Sequence, residues 1–232
     1  MMGPLDLIKL TPLMAITSGR PEIRLGLVDG PVAMNHPDLS GERIREIAGN
    51  SGGACTRTNS SACTHWTFVA GILCAKRGSM APAICPDCTL LVRPIFAETP
   101  SGSEQIPSAK PQELATAIIE CVEAGARVIN LSLALAQLST KGERELEEAL
   151  DHAARRGVIV VAAARNQGLL GSTAITRHPW VIPIVACDLR GRGLGDAIKH
   201  VTYALGIRPC GGCERRAAAL NCWLVFRGRR GR

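Results

Sequence analysis

Residues 23–30, IRLGLVDG, form a short apolar run that stops at an Asp-Gly pair. Runs of the same kind recur: TLLVRPI at 89–95, RVINLS at 127–132, GVIVVAAA at 157–164 and WVIPIVA at 180–186. They are continuous rather than alternating, the pattern of strands buried on both faces of a parallel sheet. Helical patterns lie between them. Over 112–124, Leu114, Ala117, Ile118, Cys121 and Val122 keep helical spacing. Over 142–155, Leu146, Ala149, Leu150 and Ala153 do the same, with Glu143, Glu147, Arg155 and Arg156 facing out. Gly125 and Gly157 follow these helices as stop signals. HWTFVAGILCAK, from His65, reads as a further helix with a small-residue face. The order strand, helix, strand gives an α/β fold: a doubly wound, mostly parallel sheet with helices on both faces and right-handed crossovers. The alternation stops after about Asp196, so the C-terminal part of the fold reads as incomplete.

Composition sets further bounds. With 46% apolar residues in 232, a sizeable core can be buried, which excludes a wholly disordered chain. Aromatics are only 3%, so that core is aliphatic, and base-stacking nucleic-acid platforms are disfavoured. The net charge of +7 is not spread along the chain. Residues 1–198 balance 19 Lys/Arg against 19 Asp/Glu, and residues 199–232 hold eight Lys/Arg and one acid, Glu214. The sequence therefore divides into an N-terminal arm (1–20), a domain (21–196) and a basic Cys/Arg/Gly-rich tail (197–232). No run approaches the roughly 18 apolar residues of a membrane helix. Asp6 and Lys9 interrupt the N-terminus, so no signal peptide is read, and the expected location is cytoplasmic. Ten cysteines in such a compartment are expected to be mostly reduced thiols.

In an open parallel sheet, functional groups gather beyond the carboxyl ends of the strands. Asp29 ends the first strand, His65 opens a helix, and Asn166 follows the strand at 157–164. An acid that orients an imidazole, an imidazole base and an amide donor for an oxyanion are the parts of a charge-relay site. LGLVDGPV followed by HPDL, then HWTFVAGIL, VINLSLA and VIVVAAARNQG, together resemble the motifs of the subtilisin (S8) family of serine proteases, in family order, over about residues 21–190. The Asp-Gly-Pro-Val version also resembles the proteases that mature small ribosomal peptides such as cyanobactins. The resemblance implies a serine endopeptidase acting on a peptide or protein. Asp29 takes the place of the acid, His65 of the base and Asn166 of the oxyanion donor, and Ser132, Leu133 and Ala134 line the peptide cleft. No cofactor is implied; members of the family often bind calcium, but no ligand cluster in this sequence is assigned to it.

The chain departs from the family at the nucleophile. A Gly-Thr-Ser-x-Ala-x-Pro motif is required after Asn166, yet residues 173–232 contain no serine, and Ser172 lies only six residues beyond Asn166. Thr202, Cys210, Cys213 and Cys222 lack the motif's context. The expectation is a disabled protease, or a pseudoprotease that keeps a peptide-binding role. The tail's composition also matches what a shifted reading frame produces. Trp66 and Arg165 stand where the family usually has glycine, and Ala134 ends the cleft segment where glycine is common. Without the serine's helix, the small apolar face around Val69, Ala70, Ile72 and Leu73 is expected to lack a partner, unless AAALNCWLVF (217–226) fills the gap.

Two other functions compete. Cys85-Pro-Asp-Cys88 and Cys210-Gly-Gly-Cys213 are CxxC pairs that could share a zinc ion, but 121 residues separate them, far beyond compact zinc spacings. The first pair can equally be a local disulfide or two thiols. RGRRGR (227–232) could neutralise phosphates of a nucleic acid, although short basic ends are commonly just solvated charge.

Overall fold

A computed structural model of the chain describes residues 4–39, 43–49, 55–56, 60–98, 109–133, 140–163 and 174–184. All of these belong to one compact unit, Met1–Ala164 with Gly171–Ile184. The second unit, Arg165–Leu170 with Val185–Arg232, lies outside the described residues. With it fall the expectations for Arg165, Asn166, the second CxxC pair and the tail. Ala134 and Ser172 also lie outside them.

The chain runs α1 (Pro4–Leu7), α2 (Thr11–Ile16), β1 (Arg24–Asp29), β2 (Ile44–Glu46), α3 (Ser61–Cys74), β3 (Thr89–Pro94), α4 (Pro111–Glu123), β4 (Val128–Leu131), α5 (Thr140–Arg155), β5 (Ile159–Ala163), α6 (Ala174–Arg177) and β6 (Val181–Ile184). The six strands form one sheet in the order β2-β3-β1-β4-β5-β6, with every adjacent pair parallel. Five of the strands are the apolar runs of the sequence. The sixth, β2, is three residues long at the sheet edge with Arg45 and Glu46 exposed, so it carries little apolar signal. The N-terminal arm folds into two short helices where the sequence suggested only an arm.

Strand register decides what each sheet face carries. Gly26 pairs with Leu91 and Ile129, and Val28 pairs with Arg93 and Leu131. A Cβ on Gly26 would sit 3.3 Å from Cys121 of α4, so α4 presses on this face. α4 opens on Pro111 and ends where Gly125 takes φ +81°, returning the amide of Ala126 to the Cys121 carbonyl at 3.0 Å. Leu25, Leu27 and Asp29 point to the opposite face, where α3 lies. There Leu27, Leu90 and Val92 are fully buried, yet the same face thins out towards β5 and β6. Ile159 is 42% exposed, Ile182 49% and Ile184 52%, beside the half-exposed Trp180. Apolar surface left in water thus lies on this part of the sheet, and on α3 at Phe68, which is 57% exposed. On α3, Ala70 is fully buried, and Val69 and Leu73 pack against the core.

One charge sits inside the covered face. Arg93 on β3 is 1% exposed. Its Nε donates to Glu120 at 2.5 Å and its Nη2 to Glu113 at 2.7 Å, both on α4, while Nη1 donates to the Pro94 carbonyl. Burial alone would lower its pKa, but the hydrogen bonds and charges of Glu120 and Glu113 outweigh burial and raise it.

Four of the six described cysteines are paired, where mostly reduced thiols were expected. Cys55 is bonded to Cys63, and Cys85 to Cys88, with Cα atoms 5.9 and 5.5 Å apart, within the usual reach of a disulfide. Sequence spacing could not show that residues 55 and 63 meet. The Cys85–Cys88 bond occupies both sulfurs of the first CxxC pair, which are then not free to act as zinc thiolates. Cys74 and Cys121 are buried free thiols, and burial pushes each up to about 12. Among the described residues, no helix is long and apolar enough to cross a membrane.

Arg93 is the side chain whose loss the fold should feel most. Arg93→Ala should destabilise the domain by about 3 kcal/mol in urea unfolding, because it strands two partly buried carboxylates. Adding Glu113→Gln and Glu120→Gln should recover most of that loss.

Candidate active site

The carboxyl ends of the central strands lie side by side. Val28 pairs with Leu131, and Leu131 with Ala162, so Asp29, Ser132 and Ala163 come next in register at one edge of the sheet. Asp29 is 1% exposed. Its backbone carbonyl accepts from the Ile95 amide at 2.8 Å, and its Oδ1 accepts from the Gly30 amide at 3.1 Å. Its Oδ2 is buried without a hydrogen-bond partner. Burial raises the carboxyl to about 7, against the opposing pull of the Gly30 amide and the Trp66 side chain.

His65 lies in the first turns of α3. The helix is capped by Ser60, whose hydroxyl accepts from the Cys63 amide at 3.2 Å. The buried stripe of α3 runs through Cys63, Trp66, Ala70 and Cys74, at spacings of three and four. His65 falls about 100° away from Trp66 around the helix and is exposed. The structure does not join it to Asp29 by a hydrogen bond. The indole of Trp66 takes the buried position instead. It is 4% exposed, stacks on Phe96 with ring centroids 6.3 Å apart, and lies so close to Gly30 that a Cβ there would run into it. Glycine at position 30 is what lets the indole approach. The sequence marked Trp66 as unusual, but only packing shows that it stands against the acid's neighbour.

Ser132 leaves β4 half-buried, its hydroxyl accepting from the Asn130 side-chain amide at 2.5 Å, and Leu133 beside it is buried. Ala163, in register beyond Ser132, ends the strand that leads towards Asn166, itself outside the described residues. Among the described residues, no group of three His, Cys, Asp or Glu is placed to hold a metal ion.

The model of the subtilase family matches residues 21–188. The chain belongs to that family. The subtilase match covers the sheet, α3 and α4 and includes Asp29, His65 and Asn166. Curated relatives include a thermophilic serine proteinase from Bacillus sp. (strain AK1), 29% identical over 177 residues, covering 75% of this chain and 40% of that protein. Thermitase from Thermoactinomyces vulgaris is 30% identical over 149 residues, covering 62% of this chain and 48% of that protein. Among solved structures, this subtilase is similar to the prenylagaramide maturation protease PagA, at 27% identity and a TM-score of 0.62 over 79% of this chain and 60% of that one. It is likewise similar to the patellamide maturation protease PatA, at 28% identity and a TM-score of 0.57 over 75% of this chain and 60% of that one. The chain spans only about 40% of the length of the first of the curated relatives. Both maturation proteases agree with the Asp-Gly-Pro-Val reading of the sequence.

The buried acid makes stability depend on pH. Its folded pKa, about 7, stands above the unfolded value near 3.8. The folded state therefore holds the proton more tightly, and stability falls as pH rises between those values. Asp29→Asn should remove this dependence. Its gain in stability over the parent should be small at pH 4 and grow to the order of 4 kcal/mol above pH 7, as read from denaturant midpoints across that range.

Proposed function

We propose that this chain is a serine-endopeptidase domain by ancestry that, as written, holds peptides without cutting them. The observation that carries the reading is the alignment of Asp29, Ser132 and Ala163 at one sheet edge, on the family's motifs, with no serine anywhere in residues 173–232. In the ancestral chemistry Asp29 would orient His65. His65 would take the nucleophile's proton and return it to the leaving amine, and Asn166 would donate to the oxyanion. Residues 173–232 offer no serine to attack in the covalent acyl step. Removing a triad serine leaves only the residual rate, roughly 10³–10⁴ over water, that binding and the oxyanion site supply.

Two features of this chain support the loss of chemistry. Burial raises the Asp29 carboxyl to about 7, and His65 is exposed and not hydrogen-bonded to it. A charge-relay acid must be ionised to steady an imidazolium. The binding half of the site fares better. The segment leaving β4 through Ser132, Leu133 and Ala134 can pair with an extended peptide by strand addition, and its backbone needs no nucleophile for that. The substrate class is therefore a peptide or an extended segment of a protein. The likeness to the maturation proteases PagA and PatA favours a particular precursor peptide as the bound partner over proteins in general.

A fluorescent peptide library should give saturable binding with no cleavage product by mass spectrometry over days. Ser132→Pro, which bends the cleft segment, should weaken binding at least tenfold while the circular dichroism spectrum is retained. A cleavage rate abolished by His65→Ala would instead establish an active peptidase.

A further inference from the structure

The place beside Asp29 is taken by a side chain that cannot serve a charge-relay pair. Asp29 is 1% exposed, and its Oδ2 has no hydrogen-bond partner. An unpaired carboxylate oxygen is costly to bury, so it marks a spot where a donor belongs. In a charge-relay site that donor is the imidazole. The structure sets Trp66 there instead. Its fused-ring carbons Cδ2, Cε2 and Cε3 lie against Gly30, the residue after the acid, and a Cβ on Gly30 would collide with all three. The same indole stacks on Phe96, just beyond β3. Its one polar group is the Nε1–H. The Trp66 side chain draws the Asp29 pKa down as a donor does, but it closes no hydrogen bond on Oδ2.

The helix around the indole is held by other groups. The Ser60 hydroxyl accepts from the Cys63 amide at 3.2 Å, and the Thr64 hydroxyl donates to the Ser60 carbonyl at 2.9 Å. The Thr67 hydroxyl accepts from the Ala33 amide at 3.0 Å. None of these contacts uses Trp66, so the start of α3 keeps its anchors when the indole is removed. What the indole decides is who occupies the gap between α3 and Gly30. Thr64 and Thr67 are engaged elsewhere. His65 precedes Trp66 directly, is exposed, and carries the ring N–H that Oδ2 lacks.

We propose that Trp66 is an autoinhibitory positioning residue: its indole plugs the place beside Asp29, and removing the indole alone lets the His65 imidazole donate to Asp29 Oδ2. No covalent bond changes in this exchange. The imidazole takes the tautomer with hydrogen on Nδ1, because the carboxylate accepts that hydrogen. Gly30 is the seat of the plug, since any side chain there would exclude the indole. The inference rests on the roles that ancestry gives Asp29 and His65, and not on the binding of a peptide.

The test is NMR on the full chain with 15N-labelled histidine, recorded above pH 7, where Asp29 is ionised. An imidazole Nδ1–H held by a buried carboxylate exchanges slowly and resonates far downfield. His152 and His178 also meet carboxylates, those of Glu123 and Asp151. The His65 signal is therefore identified by its loss in His65→Gln. The parent chain should show no downfield His65 proton. Trp66→Gly should gain one, and adding Asp29→Asn should abolish it. Indole added to Trp66→Gly should refill the cavity and remove the signal saturably. Trp66→Leu keeps an apolar side chain against Phe96 and gives the second reading where the glycine variant folds poorly; it should gain the same signal. A Trp66 that merely fills the core would lower stability without producing a His65–Asp29 proton. A signal already present in the parent, no signal in a folded Trp66→Gly or Trp66→Leu chain, or a signal that survives Asp29→Asn or excess indole would each overturn the proposal. Peptide binding and cleavage are not measured, so failure here is distinct from failure of the peptide-holding role.

Discussion

Parallel pairing of β1 with β3 on one side and β4 on the other is the constraint from which the rest of the structure follows. Parallel strands cannot be joined by a tight turn, so each connection must cross a face of the sheet and bring a helix or long loop with it. That requirement lays α4 over Gly26 and Ile129 and puts α3 on the side of Leu27 and Asp29. It also brings the ends of β1, β4 and β5 together, so that Asp29, Ser132 and Ala163 become neighbours although far apart in sequence. The candidate site is a by-product of register: shift β4 by one residue and Ser132 would present its side chain to the other face.

Much of this was legible in the sequence, for physical reasons. β1 and β3 are buried on both faces and must be apolar almost throughout, which left a legible pattern around Val28 and Val92, and β5 and β6 read as runs of the same kind although Ile159, Ile182 and Ile184 leave one of their faces exposed. Gly125 and Gly157 marked two helix ends because both adopt positive φ, at a cost other residues resist. Asp29 and His65 stood out through their positions at a strand end and a helix start. What stayed hidden depends on contacts that no local pattern encodes. β2 contributes one half-buried residue, Ile44, so its period is too short to read. The pairing of Cys55 with Cys63 depends on how a loop folds back. The fit of Trp66 over Gly30 depends on which way α3 is turned about its axis.

That rotation links the sequence's oddities to one another. A helix with a small-residue face can sit close to a sheet but gains little from burial, so a single large side chain governs its setting. In this chain the large side chain is Trp66, and seating it on Phe96 turns the neighbouring imidazole outward. A bulky residue beside the base and a buried acid raised to about 7 are thus two sides of one packing solution.

The bare strip of Ile159, Ile182 and Ile184 has a thermodynamic consequence of its own. Apolar surface that stays wet in the folded state contributes nothing to the heat-capacity change of unfolding. A domain with such a strip has a flatter curve of stability against temperature than one of equal length with both faces clothed. At a given Tm and enthalpy of unfolding its curve is broader, and cooling weakens it less than cooling weakens a fully covered relative.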